Sequence, residues 1–446
     1  MVRNTTIAAA IAAILASGSA LAAQPTPASA AAPAVGLYVA GSSAAKNAIL
    51  GALETGLCGG SYSLFSSSGD TNFFAVSCTP ASGTTAGATG SAIFTIWYRD
   101  EGGSVTGALP LVSGSSINQL LLTAATGSAG SYTVSVPGAS ATNGIDDSFA
   151  SGVFKAPVQF GITDVEPAVL IHDNYPTAYK SSVYGKASAS QLAGLSATTL
   201  FDQVFGIFVN TNSSAFSASE TGGQGKAPPN ANTLNLPKDT ITNVLNGFTT
   251  DWSAASDTTG NAVTASSLPI VIVNREQGSG SRAATSIFFQ QDICNSSAVS
   301  IAESTGGTAD YFSTGNVLAA ANGIPGSITY ASIDNAGSTS FPNLTLVYVD
   351  SVVPSQLNAA AGTYGDWFEA TGVTGSATLS ANQTALINYL ESAFQNQATA
   401  PNTSDVLANP TYNTAAFPIS GTLANKIYVN SYTRGGISCN TPVNAL

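Results

Sequence analysis

Arg275 sits where an apolar, β-branched run gives way to a small-residue turn. The stretch reads Leu268-Pro-Ile-Val-Ile-Val-Asn-Arg-Glu-Gln-Gly-Ser-Gly-Ser-Arg-Ala-Ala-Thr-Ser-Ile-Phe-Phe289. A strand ending in arginine, a Gly-Ser-Gly-Ser turn and a helix start bring backbone N–H groups, two hydroxyls and a guanidinium to one spot. That set of donors suits an oxyanion. Two other segments repeat the device. Ser42 and Ser43 follow a first strand and open a helix, and Asp164 ends the strand Val158-Gln-Phe-Gly-Ile-Thr-Asp164. In open α/β sheets ligands bind beyond the carboxyl ends of strands, so these three segments are expected to converge in one crevice.

Other chemistry-bearing residues fit less well. His172 is the only histidine, and no Gly-x-Ser-x-Gly elbow accompanies it, which argues against a Ser-His-Asp triad. The Gly-Ser-Gly-Ser turn lacks the lysine of a P-loop. Asp173, Asp310 and Asp334 stand apart and read as solvated or capping residues, so no metal is expected. Arg282 reads equally as a surface charge or as a cleft residue. Trp97, Trp252 and Trp367 read as packing residues.

The elements that must hold these residues alternate between strand and helix, which predicts an α/β fold. A strand Val35–Ala40 leads to a helix from Ala44 to about Leu53. A second strand, Ile93–Tyr98, runs into Arg99-Asp-Glu-Gly-Gly-Ser104. Residues 106–155 look like an irregular or short-stranded insertion. Further signals predict a helix over Thr240–Leu245, a strand over Leu344–Val349, a helix over Ala381–Phe394 and an extended segment over Phe417–Tyr428. Ser217–Asn232 reads as a surface loop.

Seven short strings occur in order over most of the chain. They are Ala40-Gly-Ser-Ser43, Phe160-Gly-Ile-Thr-Asp164, Leu236-Pro-Lys-Asp-Thr-Ile-Thr-Asn-Val-Leu-Asn-Gly-Phe248, Asp251-Trp252, Asn274-Arg-Glu-Gln-Gly-Ser-Gly-Ser281, Pro325-Gly-Ser-Ile-Thr-Tyr330 and Phe417-Pro-Ile-Ser420. Together they make the chain resemble the phosphate-binding proteins of phosphate ABC transporters, which are type 2 periplasmic binding proteins. The resemblance implies two α/β lobes closing on phosphate in a cleft between them. It implies lobe 1 over residues 35–207 and 416–446, and lobe 2 over 208–415. Arg275 would then pair with phosphate oxygens. Ser279, Gly280 and Ser281 would donate from hydroxyl and N–H groups, as would Ser43 with the N–H of Ala44. Asp164 would accept the proton that phosphate carries and sulfate lacks.

The chain departs from that family in three places. The family's phosphate-binding serine after the second strand aligns with Glu101, whose charge would oppose an anion. Three outcomes follow: Ser104 takes over, Glu101 turns to Arg99, or the ligand is not phosphate. The insertion before Gly161 is long, and the tail after Ser420 is short.

Composition supports an exported protein. Arg3, the apolar run Ile7–Leu15 and the small residues Ala20–Ala23 read as a signal peptide over residues 1–23, with residues 24–34 a flexible leader. No lipid-anchor cysteine stands at the cleavage point, and no stretch reaches about 18 unbroken apolar residues, so no transmembrane helix is expected. Cys58, Cys78, Cys294 and Cys439 are an even set in such a chain and predict disulfides. The simplest pairing is Cys58–Cys78 with Cys294–Cys439, among three possible. With 12 Lys+Arg against 24 Asp+Glu and no basic cluster, nucleic-acid binding is disfavoured. The reading is a periplasmic or secreted solute-binding protein, without cofactor or catalysis, delivering phosphate or a similar oxyanion to a transporter permease. A rival reading is a secreted or cell-surface structural subunit that self-assembles on the same fold with altered or lost ligand binding. A phosphatase is a weaker third.

Overall fold

The computed structural model describes residues 24–69, 72–81, 92–136, 151–170, 187–216, 234–295, 300–394, 403–410 and 428–445. The expected signal peptide, His172, Asp173, the loop 217–232 and most of the segment 417–428 lie outside them.

The first half contains α1 (Pro27–Ala31), β1 (Val35–Gly41), α2 (Lys46–Gly51, continued as a π-helical stretch Ala52–Leu57), β2 (Ser63–Ser68), β3 (Phe73–Cys78) and β4 (Phe94–Arg99). Then come α3 (Ser104–Ser113), β5 (Ser116–Leu120), β6 (Thr126–Ser128), β7 (Ser131–Ser135), β8 (Val153–Pro157) and β9 (Phe160–Thr163). The second half contains α4 (Ala189–Ala193), β10 (Ser196–Asn210), β11 (Asn235–Leu236), α5 (Lys238–Leu245), β12 (Val271–Ile272) and α6 (Gly280–Thr285, continued as a π-helical stretch Ser286–Gln290). It ends with α7 (Thr314–Asn322), β13 (Ser327–Ser332), β14 (Leu344–Leu346), β15 (Tyr348–Val349), α8 (Gln356–Ala360), β16 (Trp367–Thr374), α9 (Ala381–Ala393), β17 (Val406–Ala408), β18 (Tyr428–Val429), β19 (Tyr432–Thr433) and β20 (Val443–Asn444).

The fold is α/β, as expected, and its main sheet runs β12-β13-β10-β16-β9-β1-β4-β3-β2-β7-β6. Its central strands are β-branched and aromatic because they are covered on both faces. Every residue of β4, Phe-Thr-Ile-Trp-Tyr-Arg, is buried. Two main cores make the two lobes. One gathers Leu37, Val39, Ile49, Leu53, Ile96 and Leu390 around β1 and β4. The other gathers Ile241, Trp252, Ile272, Ile328 and Trp367. The 15-residue strand β10 belongs to both. Its Leu200 and Phe201 enter the first core, and Val204, Ile207 and Val209 the second. Its beginning pairs antiparallel with β16 and its end with β13 and β14.

Several local expectations change in three dimensions. The Ala/Pro/Ser-rich stretch 24–34 holds α1, capped by Thr26, with Ala30 fully buried. The Gly- and Ser-rich region after Arg99 opens with the ten-residue α3, closed by a left-handed Gly114, before its short strands begin. Gly107 and Pro110 within it hid that helix, because both residues disfavour a helix interior. The helix after Ser42–Ser43 starts formally at Lys46, yet the Ser42 hydroxyl accepts the Ala45 N–H at 2.9 Å and so still serves its first turn. The expected return of the chain to lobe 1 at 416–420 lies outside the described residues. β16 already pairs with β9, and α9 packs on β1.

Two disulfides are present, Cys58–Cys78 and Cys294–Cys439, the simplest of the three pairings. The second ties the chain beyond α6 to the C-terminal tail. Glu369 grips the same tail, accepting from the Thr433 hydroxyl at 2.6 Å and the Arg434 N–H at 2.9 Å. No described helix is long and apolar enough to cross a membrane.

Candidate functional site

β1 runs parallel to both β4 and β9, so Ser42–Ser43, Arg99–Ser104 and Asp164 all leave the sheet at one edge. Backbone contact tightens this edge. A Cβ on Gly161 would lie 1.9 Å from the Gly107 carbonyl oxygen, so only glycine lets α3 rest on β9. That contact brings Ser104 to Asp164, whose backbone N–H donates to the Ser104 hydroxyl at 2.9 Å.

Asp164 is buried at the centre of the site. Its carboxylate accepts from the Ser42 hydroxyl. Burial raises its pKa above the ordinary aspartate value, against the lowering effect of Ser42, Arg275, Ser104 and Ser281. Ser42, rather than Ser43, is the serine on Asp164. Tyr98 fixes the Ser42 turn, its phenol donating to the Ser42 carbonyl at 2.6 Å.

The expected oxyanion turn supplies the facing wall. Arg275 is 1% exposed. Its Nε donates to the Tyr311 carbonyl at 3.2 Å and its Nη2 to the Phe312 carbonyl at 3.1 Å. Its Nη1 reaches Thr314 Oγ1 at 3.1 Å and Ser281 Oγ at 3.4 Å. Burial lowers the Arg275 pKa, while Glu276 and Asp164 act to raise it. A guanidinium stays charged across the usual pH range. The Arg275 N–H donates to the Tyr330 hydroxyl at 3.3 Å, and that hydroxyl donates to Asn274 Oδ1 at 2.5 Å. Ser279 caps α6 by accepting the Arg282 N–H at 3.3 Å. Gly280 lies directly against Asp164 and Ser104.

Arg282 is neither a surface charge nor part of the Asp164 cluster. It lies buried behind Arg275, donating to the Arg275 carbonyl at 2.8 Å and pairing with Asp310 at 3.2 Å. Ser43 reaches across the site, its Oγ 3.0 Å from Thr314 Oγ1 and accepting the Thr314 N–H at 3.0 Å. Ala44 is buried beside it, and its carbonyl accepts from Gln203 at 2.8 Å. The site thus joins Ser42, Ser43, Ser104 and Asp164 of the first half to Arg275, Ser281 and Thr314 of the second. Thr314 was missed in the sequence. The available signal was Ser313-Thr314 opening α7, where Ser313 caps the helix.

Glu101 turns to Arg99, one of the three outcomes foreseen. Arg99 Nη2 lies 2.7 Å from Glu101 Oε2, and the guanidinium stacks 4.8 Å from the Phe73 ring centre. Both side chains are buried. Ser104 meanwhile occupies the site.

Of the isolated acids, Asp310 anchors Arg282 and Ser304, and Asp334 accepts from Asn47 at 2.6 Å. Among the described residues no group of three His, Cys, Asp or Glu side chains could hold a metal. Trp97 and Trp252 are buried and hydrogen-bonded to backbone carbonyls. Trp367 is buried under Arg434.

No known family profile matches the chain, and no curated protein does. Three solved structures are among those similar to it. A high-affinity periplasmic phosphate-binding protein (PfluDING) bound with phosphate is 14% identical, over 81% of this chain and 85% of that one, with a TM-score of 0.43. A phosphate-binding protein from Stenotrophomonas maltophilia is 12% identical, over 80% and 83%, with a TM-score of 0.41. A human phosphate binding apolipoprotein is 15% identical, over 67% and 86%, with a TM-score of 0.37. Likeness at this level assigns no ligand.

Proposed function

We propose that this protein is an exported solute-binding protein that captures an inorganic oxyanion, with phosphate as the ligand, and passes it to an ABC transporter permease. It binds without chemistry. What carries the reading is Arg275, a buried guanidinium bonded to the hydroxyls of Ser281 and Thr314, with Thr314 in turn met by Ser43 from the other lobe. Ser43, the Ala44 N–H, Ser104, Ser279, Gly280 and Ser281 are the proposed donors around it. Thr314 joins them, and Asp164 is the acceptor that distinguishes a protonated anion. Glu101, held by Arg99, does not oppose the ligand.

The donors come from segments on either side of β10, so binding would proceed by hinge closure of the lobes about that strand. Two disulfides fit an oxidising compartment outside the cytoplasm. The structural-subunit alternative is not favoured.

Calorimetry on ligand-stripped protein tests the proposal. Phosphate should bind, and Arg275→Ala should weaken binding by about 100-fold, the loss expected for a charge-assisted bidentate contact. Arg275→Lys should not restore it, because a point charge cannot reproduce the planar fork. Absence of heat with phosphate, arsenate and sulfate alike would sink the proposal.

A further inference from the structure

We propose that a second cavity, enclosed by the start of α5, the end of α6 and the C-terminal tail, binds a small organic carboxylate with an apolar body, anchored by the Lys238 ammonium. The site is separate from the Arg275 cluster and does not rest on the oxyanion reading. α6 opens at the Arg275 turn, and its π-helical continuation carries Ile287 and Phe288 to this cavity.

The charge of the lining points to an anion. Lys238 and Arg434 line the cavity, and no described carboxylate does. The chain as a whole carries 24 Asp+Glu against 12 Lys+Arg, so this lining reverses the general balance. A recess takes its potential from the charges that line it rather than from the net charge.

Lys238 is the group with donors to offer. It is half-buried, with its Nζ 3.8 Å from the centre of the Phe288 ring. Among the described residues its ammonium has no hydrogen-bond or ion-pair partner. Asp366, Asp350 and Asp239 act on it only as charges at a distance. An ammonium carries three N–H donors, and a carboxylate in the cavity would take them. Arg434 has another part. Its nitrogens donate to the carbonyls of Trp367, Ser438, Asn440 and Gly365, so it supplies charge and holds the tail over the cavity.

Size and walls set the rest of the ligand. The cavity measures about 410 Å³, in the range of sites for small organic molecules and far more than an inorganic oxyanion fills. Ile287, Phe288, Pro442 and the Cys294–Cys439 disulfide give it apolar surface beside the two cations.

Calorimetry on the whole protein tests this, with benzoate and hexanoate as probes. At least one should bind, and its neutral amide, benzamide or hexanamide, should bind at least about 10-fold more weakly. Lys238→Gln should weaken the probe by at least about 10-fold, and Lys238→Arg should retain it. Thr441→Trp, at an exposed lining position of the tail, should abolish binding without touching Lys238. Excess inorganic phosphate should leave probe binding unchanged. No heat with either probe, binding that survives Lys238→Gln or Thr441→Trp, or displacement of the probe by phosphate overturns the proposal.

The disulfide gives a test that needs no variant. Cys294–Cys439 lines the cavity, so a bound probe covers its sulfurs and should slow their reduction by dithiothreitol. Reduction of Cys58–Cys78 should not change. Equal rates at Cys294–Cys439 with and without saturating probe overturn the proposal.

Discussion

Arg99 and Glu101 form a buried ion pair, Nη2 to Oε2 at 2.7 Å, at the turn where β4 leaves the sheet. The pair holds the Glu101 carboxylate on Arg99, while Ser104, three residues on, meets Asp164. Arg99 also stacks on the Phe73 ring.

Removing one member of such a pair leaves the other buried without its counter-charge. Glu101→Ala should therefore destabilise the protein by about 3–5 kcal/mol. Glu101→Gln should cost less, because an amide oxygen can still accept from the guanidinium. Urea unfolding of the three proteins checks this. A Glu101→Ala midpoint equal to wild type would contradict it.

Gly280 allows α6 to meet Asp164 and Ser104 at backbone distance. The added methyl of Gly280→Ala would meet Ser104 Oγ at 2.2 Å and the Asp164 Cβ at 2.7 Å. The two lobes must separate locally, with an expected cost of about 1–3 kcal/mol. Thermal unfolding reads the cost, and small-angle scattering reads the opening. No change in either would show that the contact is readily relaxed.

Asp366 is fully buried, and neither carboxylate oxygen has a hydrogen-bond partner. Burial raises its pKa to about 7, against the pull of the Lys238 and Arg434 charges. An unfolded aspartate titrates near pH ~3.9. The folded protein thus keeps this proton where the unfolded chain loses it. The resulting stability is fully present below about pH 4 and is lost as pH rises toward 7. Asp366→Asn should flatten that part of the profile and add on the order of 2–4 kcal/mol at neutral pH. Urea midpoints from pH 4 to 8 decide it, and parallel wild-type and variant profiles would refute it.

The two disulfides differ in access. Cys58 and Cys78 are buried, whereas Cys294 and Cys439 are exposed. Attack by a thiolate requires access to sulfur, so mild reduction should open Cys294–Cys439 first. That loop closes over 145 residues, and opening it should cost about 4–5 kcal/mol in the chain-entropy account. Alkylation followed by peptide mapping should label positions 294 and 439 before 58 and 78. The reverse order would contradict the assignment.

Much of the architecture could be read from local pattern. Apolar β-branched runs marked β1, β4 and β9, and the Gly-Ser-Gly-Ser turn behind Arg275 marked the site. Helices with a clear cap or apolar face, such as α9 behind Ser380, were legible to within a residue or two. α3 was not, because Gly107 and Pro110 inside it read as helix breakers, although Val105, Ala108, Leu109 and Leu111 are buried together. Thr314 was missed because its relation to Ser43 and Arg275 exists only across the two lobes.

The sequence by itself determined that hydroxyls, an arginine and a carboxylate would stand at strand ends, because residue type and periodicity act over a few residues. Only the tertiary structure decided where the charges point. Glu101 could have faced Ser104 and Asp164, and instead it pairs with Arg99, which stacks on the Phe73 ring of β3. Asp164 could have stood apart from the Arg275 turn, and its contact with Gly280 depends on how closely two halves of the chain approach. Such choices rest on burial and distance between segments remote in sequence, which one-dimensional spacing does not carry.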